Sequence, residues 1–451
     1  MSNATLTLSF SGTDCWPNHG LVLRPAEEID TYTPHIGYIP SKLHQQLAGN
    51  GDASHSIPGC GEPYSAYFKT LNIDYWYKRQ LNPKDFDYEP TMSRAPSSMA
   101  DSLSGHSVNY LAAQAMSLIV GTRVQLLTDD LTVAELKFAA NPLGDQVATK
   151  IGLKAVDEQP RLIADSLRLS WRPDDLATLG ENPKSWETVN LIGHSRGGVV
   201  AIAVANLIAL YLPHIRVNLI GLDPVPGTGD WPENMCTLPV SVLHNYLGIY
   251  AVDETSIGFN AVVPALVKAD GSRWDPLSES IEASGLRPEQ YQLIFSRGRH
   301  ATIPGSRMVD GADFNPAHIS ATVGSVGELI GYFCQQRLRT WGVSGATLAP
   351  PAGQISSLKQ TINSHSDTFF TMRDTTYTAT GQVFGLGFSK ARGISSTAGR
   401  NPLAWSYLEE YMPPGTTPEQ GFSDVKSILT TPHAPWQALT VLAEQNFGAN
   451  G

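Results

Sequence analysis

Short, continuously apolar runs recur along the chain, separated by longer segments with helical spacing. The runs that predict strands are Leu6–Phe10, Val189–Gly193, Val217–Leu222, Ser241–Val252 and Tyr291–Phe295. The segments that predict helices are Val108–Val120, Gly197–Leu212 and Gly324–Thr340. Strands without polar alternation, followed by helices, indicate a mostly parallel sheet covered on both faces. The pattern therefore predicts an α/β fold.

The chain has 451 residues and no break in composition, which predicts one large core with additions to it. We expect the core to occupy residues 1–345. Residues 16–105 are rich in Pro, Gly, Ser and Tyr, and we expect irregular structure there, as an insertion or lid over the core. Residues 346–451 are rich in Ser, Thr and Gly, and are expected to form a C-terminal extension that packs on the core or contributes to a lid.

Charge and cysteine usage narrow the classes of partner. The net charge of −11 argues against nucleic acid, whose phosphates require clustered Lys and Arg. It also argues against tight adsorption to anionic membranes, although a transient contact with a membrane surface stays open. The cysteines at 15, 60, 236 and 334 have neither the C-x-x-C spacing of zinc sites nor the arrangement of a disulfide framework.

The first residues lack the basic start and apolar core of a secretory signal, and no apolar run of about 18 residues could span a bilayer. We therefore expect a protein made in the cytoplasm without a signal peptide. Secretion, if it occurs, would use a system that needs no such signal.

The stretch Val189–Val200 (VNLIGHSRGGVV) contains the G-x-S-x-G pattern between a predicted strand and a predicted helix. In that setting the serine stands on a sharp turn, its hydroxyl is exposed, and the next backbone N–H can stabilise an oxyanion. Ser195 is therefore the candidate nucleophile. The alternative is a tight turn in which Ser195 only caps the helix.

A serine nucleophile requires a histidine base, and the histidine requires a carboxylate that holds its tautomer. Asp223 ends the strand after the nucleophile and is the preferred acid, with Asp253 at the end of the following strand as the alternative acid. His300 follows the last predicted strand and is the candidate base, with His318 as its competitor. Asp223 precedes Pro224 and could instead simply open a turn.

The oxyanion hole needs two backbone N–H donors. Arg196 supplies one because it follows the nucleophile, and the Gly12-Thr13 turn after the first strand assigns the other to Thr13. An ordinary β-turn explains Gly12-Thr13 equally well. No H-E-x-x-H sequence or Gly-rich phosphate loop occurs, so we expect neither a metal nor a cofactor.

Five motifs, FSGTD, GHSRGG, GLDPVPG, YAVDETSIGF and GRHATIPG, together resemble the ordered motifs of a bacterial α/β-hydrolase family that includes type VI secretion phospholipase effectors. GLDPVPG also resembles the acid-bearing turn of pancreatic-type lipases. The resemblance covers residues 5–20 and 185–305. His194 and Gly198 depart from it, since those effectors more often carry an aromatic residue and an alanine there.

The resemblance implies an α/β-hydrolase fold and a lipase or phospholipase that acts as an antibacterial toxin, with a secretion-apparatus carrier or an immunity protein as partners. The residues themselves predict a serine esterase that forms an acyl-enzyme. Two alternatives stay open: a thioesterase, amidase or soluble-ester hydrolase with the same triad, and a non-catalytic binding or toxin-delivery module on the same fold.

Overall fold

The structure is a computed structural model. It describes residues 5–13, 15, 31–60, 108–120, 125–127, 168–170, 186–226, 235–254, 259, 261–274, 276, 279–309, 318–365, 367–369, 372, 393–395, 402–404, 436–440 and 447.

Strands and helices alternate irregularly along the described part of the chain. The strands are β1 Thr5–Phe10, β2 Ala53–Ile57, β3 Gln125–Leu127, β4 Arg168–Ser170, β5 Thr188–His194, β6 Arg216–Leu222, β7 Thr237–Pro239, β8 Leu243–Ala251, β9 Ala261–Val262, β10 Ala265–Val267, β11 Arg273–Trp274, β12 Tyr291–Ser296, β13 Gly393–Ser395, β14 Pro402–Ala404 and β15 Trp436–Ala438. The α-helices are α1 Ile39–Gly49, α2 Val108–Val120, α3 Arg196–Tyr211, α4 Ala321–Thr340 and α5 Gln354–Ser364, and two 3-10 turns cover Ile281–Ser284 and Pro288–Gln290.

The central sheet, as far as the structure describes it, contains seven strands in the order β2-β1-β5-β6-β8-β12-β15. Every neighbouring pair in it is parallel. Smaller sheets join β11-β10-β7, β14-β13-β9 and β3-β4. Because parallel strands must be joined by crossovers, helices lie on the faces of the sheet and bury both of them.

Two apolar clusters lie on the two faces of the sheet. Neighbouring residues of β5 show the division, because Leu191 belongs to one cluster and Ile192 to the other. Buried residues of α2 and α3 belong to the first cluster, and those of α1, α4 and α5 belong to the second. The α/β fold class predicted from the sequence, a mostly parallel sheet flanked by helices, is confirmed for the part of the chain that the structure describes. Membership of the α/β-hydrolase fold stays a prediction.

The strand register brings the carboxyl ends of the central strands level with one another. Phe10 in β1 pairs with Gly193 in β5, and His194 pairs with Leu222 at the end of β6. Ala251 at the end of β8 pairs with Ser296 at the end of β12. The loops that follow these strands therefore emerge at one edge, which is where an open α/β sheet binds its ligands.

The irregular structure predicted for residues 16–105 is wrong for residues 39–57. Helix α1 and strand β2 lie there, β2 pairs with β1 along its whole length, and Leu43 and Leu47 are buried in the core. The weak periodicity missed them because β2 reads ASHSI, with few apolar residues. Most of the remainder of 16–105 lies outside the described residues, so the insertion or lid stays a prediction.

The C-terminal extension contributes described elements to the core. Helix α5 packs on α4, with Ile355, Leu358 and Ile362 buried, and β15 pairs with β12 at the edge of the sheet. The domain boundaries at 345 and 346 stay a prediction. None of the helices in the described part of the chain combines the length and apolarity that crossing a bilayer requires.

Candidate active site

Ser195 stands between β5 and α3 with a strained backbone. Its φ of 56° and ψ of −130° lie outside the regions that L-residues favour. Its N–H donates to the carbonyl of Leu222 at 3.1 Å, and its own carbonyl accepts from Val225 N–H at 3.2 Å. Glycine at 197 permits the turn, since a Cβ there would lie 2.4 Å from the carbonyl oxygen of Ser11. The surrounding strands therefore fix Ser195 in a conformation that local preference alone would not choose.

Asp223 follows β6 and is the other described non-glycine residue with a positive φ, at 50°. Its side chain is fully buried. One carboxylate oxygen accepts the N–H of Ala251 at 3.1 Å, and the other lies 2.6 Å from Nδ1 of His300. A buried carboxylate in this position fixes the tautomer of the imidazole and stabilises its protonated form.

His300 lies in the loop after β12, and two neighbouring acids hold that loop. Glu254 accepts the main-chain N–H of His300 at 3.2 Å. Asp253 accepts the N–H of Gly298 at 2.7 Å and Nε of Arg297 at 2.9 Å. With Nδ1 directed at Asp223, the ring presents Nε2 as its second nitrogen.

The two aspartates that the sequence predicted as candidate acids therefore have different partners in the structure. Asp223 contacts the His300 ring, whereas Asp253 forms a buried ion pair with Arg297. The main chain of the competing base, His318, accepts the N–H of Val309, next to the bridge between Met308 and Ile319.

Aromatic rings enclose the His300 imidazole. The ring of His194 lies 4.6 Å from it between centroids, with an angle of 31° between the planes. Phe259 approaches it edge-on at 5.0 Å. Among the described residues, the hydroxyl of Ser195 forms no hydrogen bond with the His300 ring. Contacts of this kind commonly tighten only when substrate is bound.

The two residues predicted for the oxyanion hole are joined through their side chains. The guanidinium of Arg196 donates to Thr13 Oγ1 at 3.3 Å and to the carbonyl of Pro226 at 2.8 Å. Arg196 is also the first residue of α3, where the partial positive charge of the helix end favours a developing negative charge. The same side chain therefore ties the turn after β1 to the loop that carries Asp223.

The sequence reasoning did not identify Tyr38 or Glu254 as residues of this site. Tyr38 is fully buried, and its hydroxyl accepts the N–H of Gly12 at 2.6 Å and contacts Nδ1 of His194 at 3.0 Å. Burial raises the pKa of Tyr38 well above its ordinary value, because the phenolate would be desolvated. No local pattern marks Tyr38, whereas Glu254 stands directly beside the candidate acid Asp253 in the sequence.

Metal binding finds no support in the described ranges, where no group of three His, Cys, Asp or Glu side chains has the arrangement of a metal site. The described chemistry of the site is that of a serine, an imidazole and a carboxylate at one sheet edge.

Comparisons with known proteins add a distant likeness to a solved structure. No family model matches the sequence, and no curated protein matches it. A solved structure, the Tle1 effector bound to the VgrG spike from the type 6 secretion system, is 13% identical with a TM-score of 0.25, over 69% of this chain and 52% of that one. The chain thus spans about half the length of that effector. A likeness this low establishes neither a shared fold nor a shared activity.

Proposed function

We propose that the protein is a serine esterase that uses Ser195, His300 and Asp223 as a catalytic triad. The observation that carries the proposal is the 2.6 Å contact between His300 Nδ1 and the fully buried Asp223, at the same sheet edge as the strained Ser195 turn. Backbone strain at Ser195 and Asp223 together is more typical of a site that positions reacting groups than of a helix cap.

The reaction begins when His300 Nε2 accepts the Ser195 proton and Oγ attacks the ester carbonyl. The backbone N–H groups of Arg196 and Thr13 stabilise the oxyanion. The tetrahedral intermediate collapses, and His300 donates its proton to the departing alcohol. Water, deprotonated by His300, then attacks the acyl-enzyme, and His300 returns the proton to Ser195 Oγ as the acid is released. Asp223 stays ionised throughout and stabilises the imidazolium.

For the substrate we propose a lipid ester, with a phospholipid on a bacterial membrane as the first choice, and for the biological role an antibacterial effector delivered by a secretion apparatus. Both rest on the motif resemblance of GHSRGG, GLDPVPG and GRHATIPG. A carrier from that apparatus and an immunity protein are the partners that this role requires. Hydrolysis of micellar phospholipid without hydrolysis of soluble short-chain esters would favour the lipase over a soluble-ester hydrolase.

Labelling with a fluorophosphonate probe tests the nucleophile, because only an activated serine reacts with it. The wild type should be labelled, and Ser195→Ala should not. Ser54→Ala is the matched control, since Ser54 Oγ also contacts a histidine, His44 Nδ1 at 3.0 Å, but stands in a strand rather than at a strand–helix turn. Undiminished labelling or ester hydrolysis in Ser195→Ala would refute the proposal, and so would an unlabelled, inactive wild type that is folded.

A further inference from the structure

We infer that Tyr38 is a positioning residue whose hydroxyl orients the Gly12 turn and fixes the tautomer of His194, the ring that lies against His300. The inference rests on the proposed function, because it concerns how the oxyanion loop and the base are held for that reaction.

The Tyr38 hydroxyl joins three segments that are distant in sequence. It contacts the Gly12 N–H at 2.6 Å and His194 Nδ1 at 3.0 Å, which lie 26 and 156 residues from it. Its ring also meets the His194 ring edge-on, with centroids 5.7 Å apart. All three groups are buried, so water does not compete for these bonds. One phenol therefore bridges the turn after β1, the start of α1 and the residue before the nucleophile.

The direction of the bond between Tyr38 and His194 is inferred from the single proton of the phenol and from the strength of the acceptors around it. The phenol carries one proton, and its oxygen already accepts the Gly12 N–H. Burial raises the pKa of Tyr38, so the phenol keeps its proton. Two acceptors compete for it, the thiol of Cys15 and Nδ1 of His194, and an imidazole nitrogen is the stronger. His194 then accepts at Nδ1 and carries its own proton on Nε2.

This tautomer matters because His194 and His300 are stacked. Their centroids are 4.6 Å apart, and the reaction makes His300 a cation, with Asp223 on its Nδ1 and Glu254 on its main-chain N–H. A neutral His194 can lie beside the protonated His300 without charge repulsion. Occupation of Nδ1 by the Tyr38 O–H keeps the ring in place and removes its available basic nitrogen.

The bond to Gly12 determines which amide serves the oxyanion. A Cβ at Gly12 would lie 2.4 Å from His194 Nδ1 and 3.1 Å from the Ser195 Cβ, so this turn packs directly on the nucleophile. The Gly12 N–H is committed to Tyr38. The next amide along the turn, that of Thr13, is therefore the one assigned to the oxyanion, and Tyr38 orients the peptide that precedes it.

The test is Tyr38→Phe, which removes only the hydroxyl, beside Tyr291→Phe as the matched control. Tyr291 is equally buried, and its hydroxyl donates to the carbonyl of Pro264 at 2.7 Å. With a chromogenic ester, Tyr38→Phe should lower kcat roughly tenfold or more and leave KM within about twofold, because a misplaced oxyanion donor affects the transition state more than binding. Tyr291→Phe should keep the wild-type kcat. Wild-type kcat in folded Tyr38→Phe would overturn the inference.

A second variant, His194→Phe, keeps a ring but removes the acceptor. If Tyr38 acts through His194, the losses in the two single variants should not add in the double variant. Fully additive losses of kcat would contradict an action of Tyr38 through His194. Should Tyr38→Phe fail to fold, the tautomer of His194 in protein that keeps Tyr38 still tests the inference.

The tautomer itself is measurable without activity, by NMR of the protein with ¹⁵N-labelled histidine in the Ser195→Ala background. The His194 signals should report an unprotonated Nδ1 and a protonated Nε2, and Tyr38→Phe should alter them. A protonated Nδ1 would overturn the inference even if the protein is an esterase. A wild-type protein that neither reacts with the fluorophosphonate probe nor hydrolyses esters would instead refute the proposed function. The NMR measurement would still decide the tautomer of His194.

Discussion

His300 Nδ1 and Asp223 Oδ2 lie 2.6 Å apart although 77 residues separate them in the sequence. The contact arises because β6 and β12 both flank β8, and their carboxyl ends are level in the sheet. The same sheet directs Asp253 to a different partner, Arg297. Substitution of the two aspartates should therefore have different effects, on catalysis for Asp223 and on stability for Asp253.

Asp223→Asn should lower kcat by roughly 10³- to 10⁴-fold, because the amide favours the wrong tautomer of His300. Asp253→Asn should instead reduce stability by about 3 kcal/mol, since it removes the negative charge that Asp253 places beside the buried Arg297 guanidinium. Steady-state kinetics and urea unfolding of both variants separate the two effects. A larger loss of kcat in folded Asp253→Asn than in Asp223→Asn would contradict the assignment of the acid.

Ser195→Gly should be more stable than Ser195→Ala by about 1 kcal/mol, because glycine adopts the observed φ of 56° without steric cost. Both variants remove the proposed nucleophile, so the difference reports the backbone strain that glycine relieves, less the extra conformational entropy that glycine loses on folding. Urea unfolding midpoints provide the comparison. At Ser54, within strand β2, the order should be reversed, because glycine in an extended strand is less stable than alanine. Alanine variants more stable than the glycine variants at both positions would show that Ser195 is not strained.

Four polar side chains form a hydrogen-bonded row across the central sheet. Asn190 donates to Thr7 at 3.3 Å, Asn218 to Asn190 at 2.8 Å, and Asn245 to Asn218 at 2.7 Å. Asn218→Ala breaks two of these bonds, one to the buried Asn190 and one to the half-buried Asn245, so unfolding should become easier by about 2 to 3 kcal/mol. Asn245→Ala, at the end of the row, should cost about half as much. Equal losses in chemical denaturation would contradict a connected row.

His44 should make the folded protein sensitive to mild acid. Burial, with a smaller contribution from the charge of His55, lowers the pKa of His44 from 6.5 to about 4. The unfolded chain therefore binds a proton between these values that the folded chain does not, and stability falls as the pH drops from about 6.5 to 4. The loss through this residue should approach about 3 kcal/mol.

Urea unfolding at pH 7.5 and 4.5 measures this effect. His44→Gln should lose less stability on acidification than the wild type, whereas His214→Gln, at an exposed position, should behave as the wild type does. An unchanged acid sensitivity in His44→Gln would show that other groups cause it.

Several elements could be predicted because their signals are local. The apolar runs gave β1, β5, β6, β8 and β12 to within a few residues, and uninterrupted apolar sequence gave α3. Strand β2 could not be predicted in this way, since its residues are mostly polar and its place in the sheet depends on pairing with β1. Helix α1 was not predicted either. Its apolar residues are buried only because the helix packs on the sheet, which the local sequence does not show.

In the candidate site, too, local features could be predicted from the sequence and long-range contacts could not. By itself, the sequence determined the Ser195 turn, since strand, glycines and helix are contiguous, and it predicted the chain order of the candidate serine, acid and base. Only the tertiary structure decided which aspartate faces His300, that Asp253 and Glu254 hold the loop that carries His300, and that Tyr38 meets both Gly12 and His194. Those contacts join residues 26 to 156 positions apart, and their geometry is fixed by strand order and register, which no local pattern encodes.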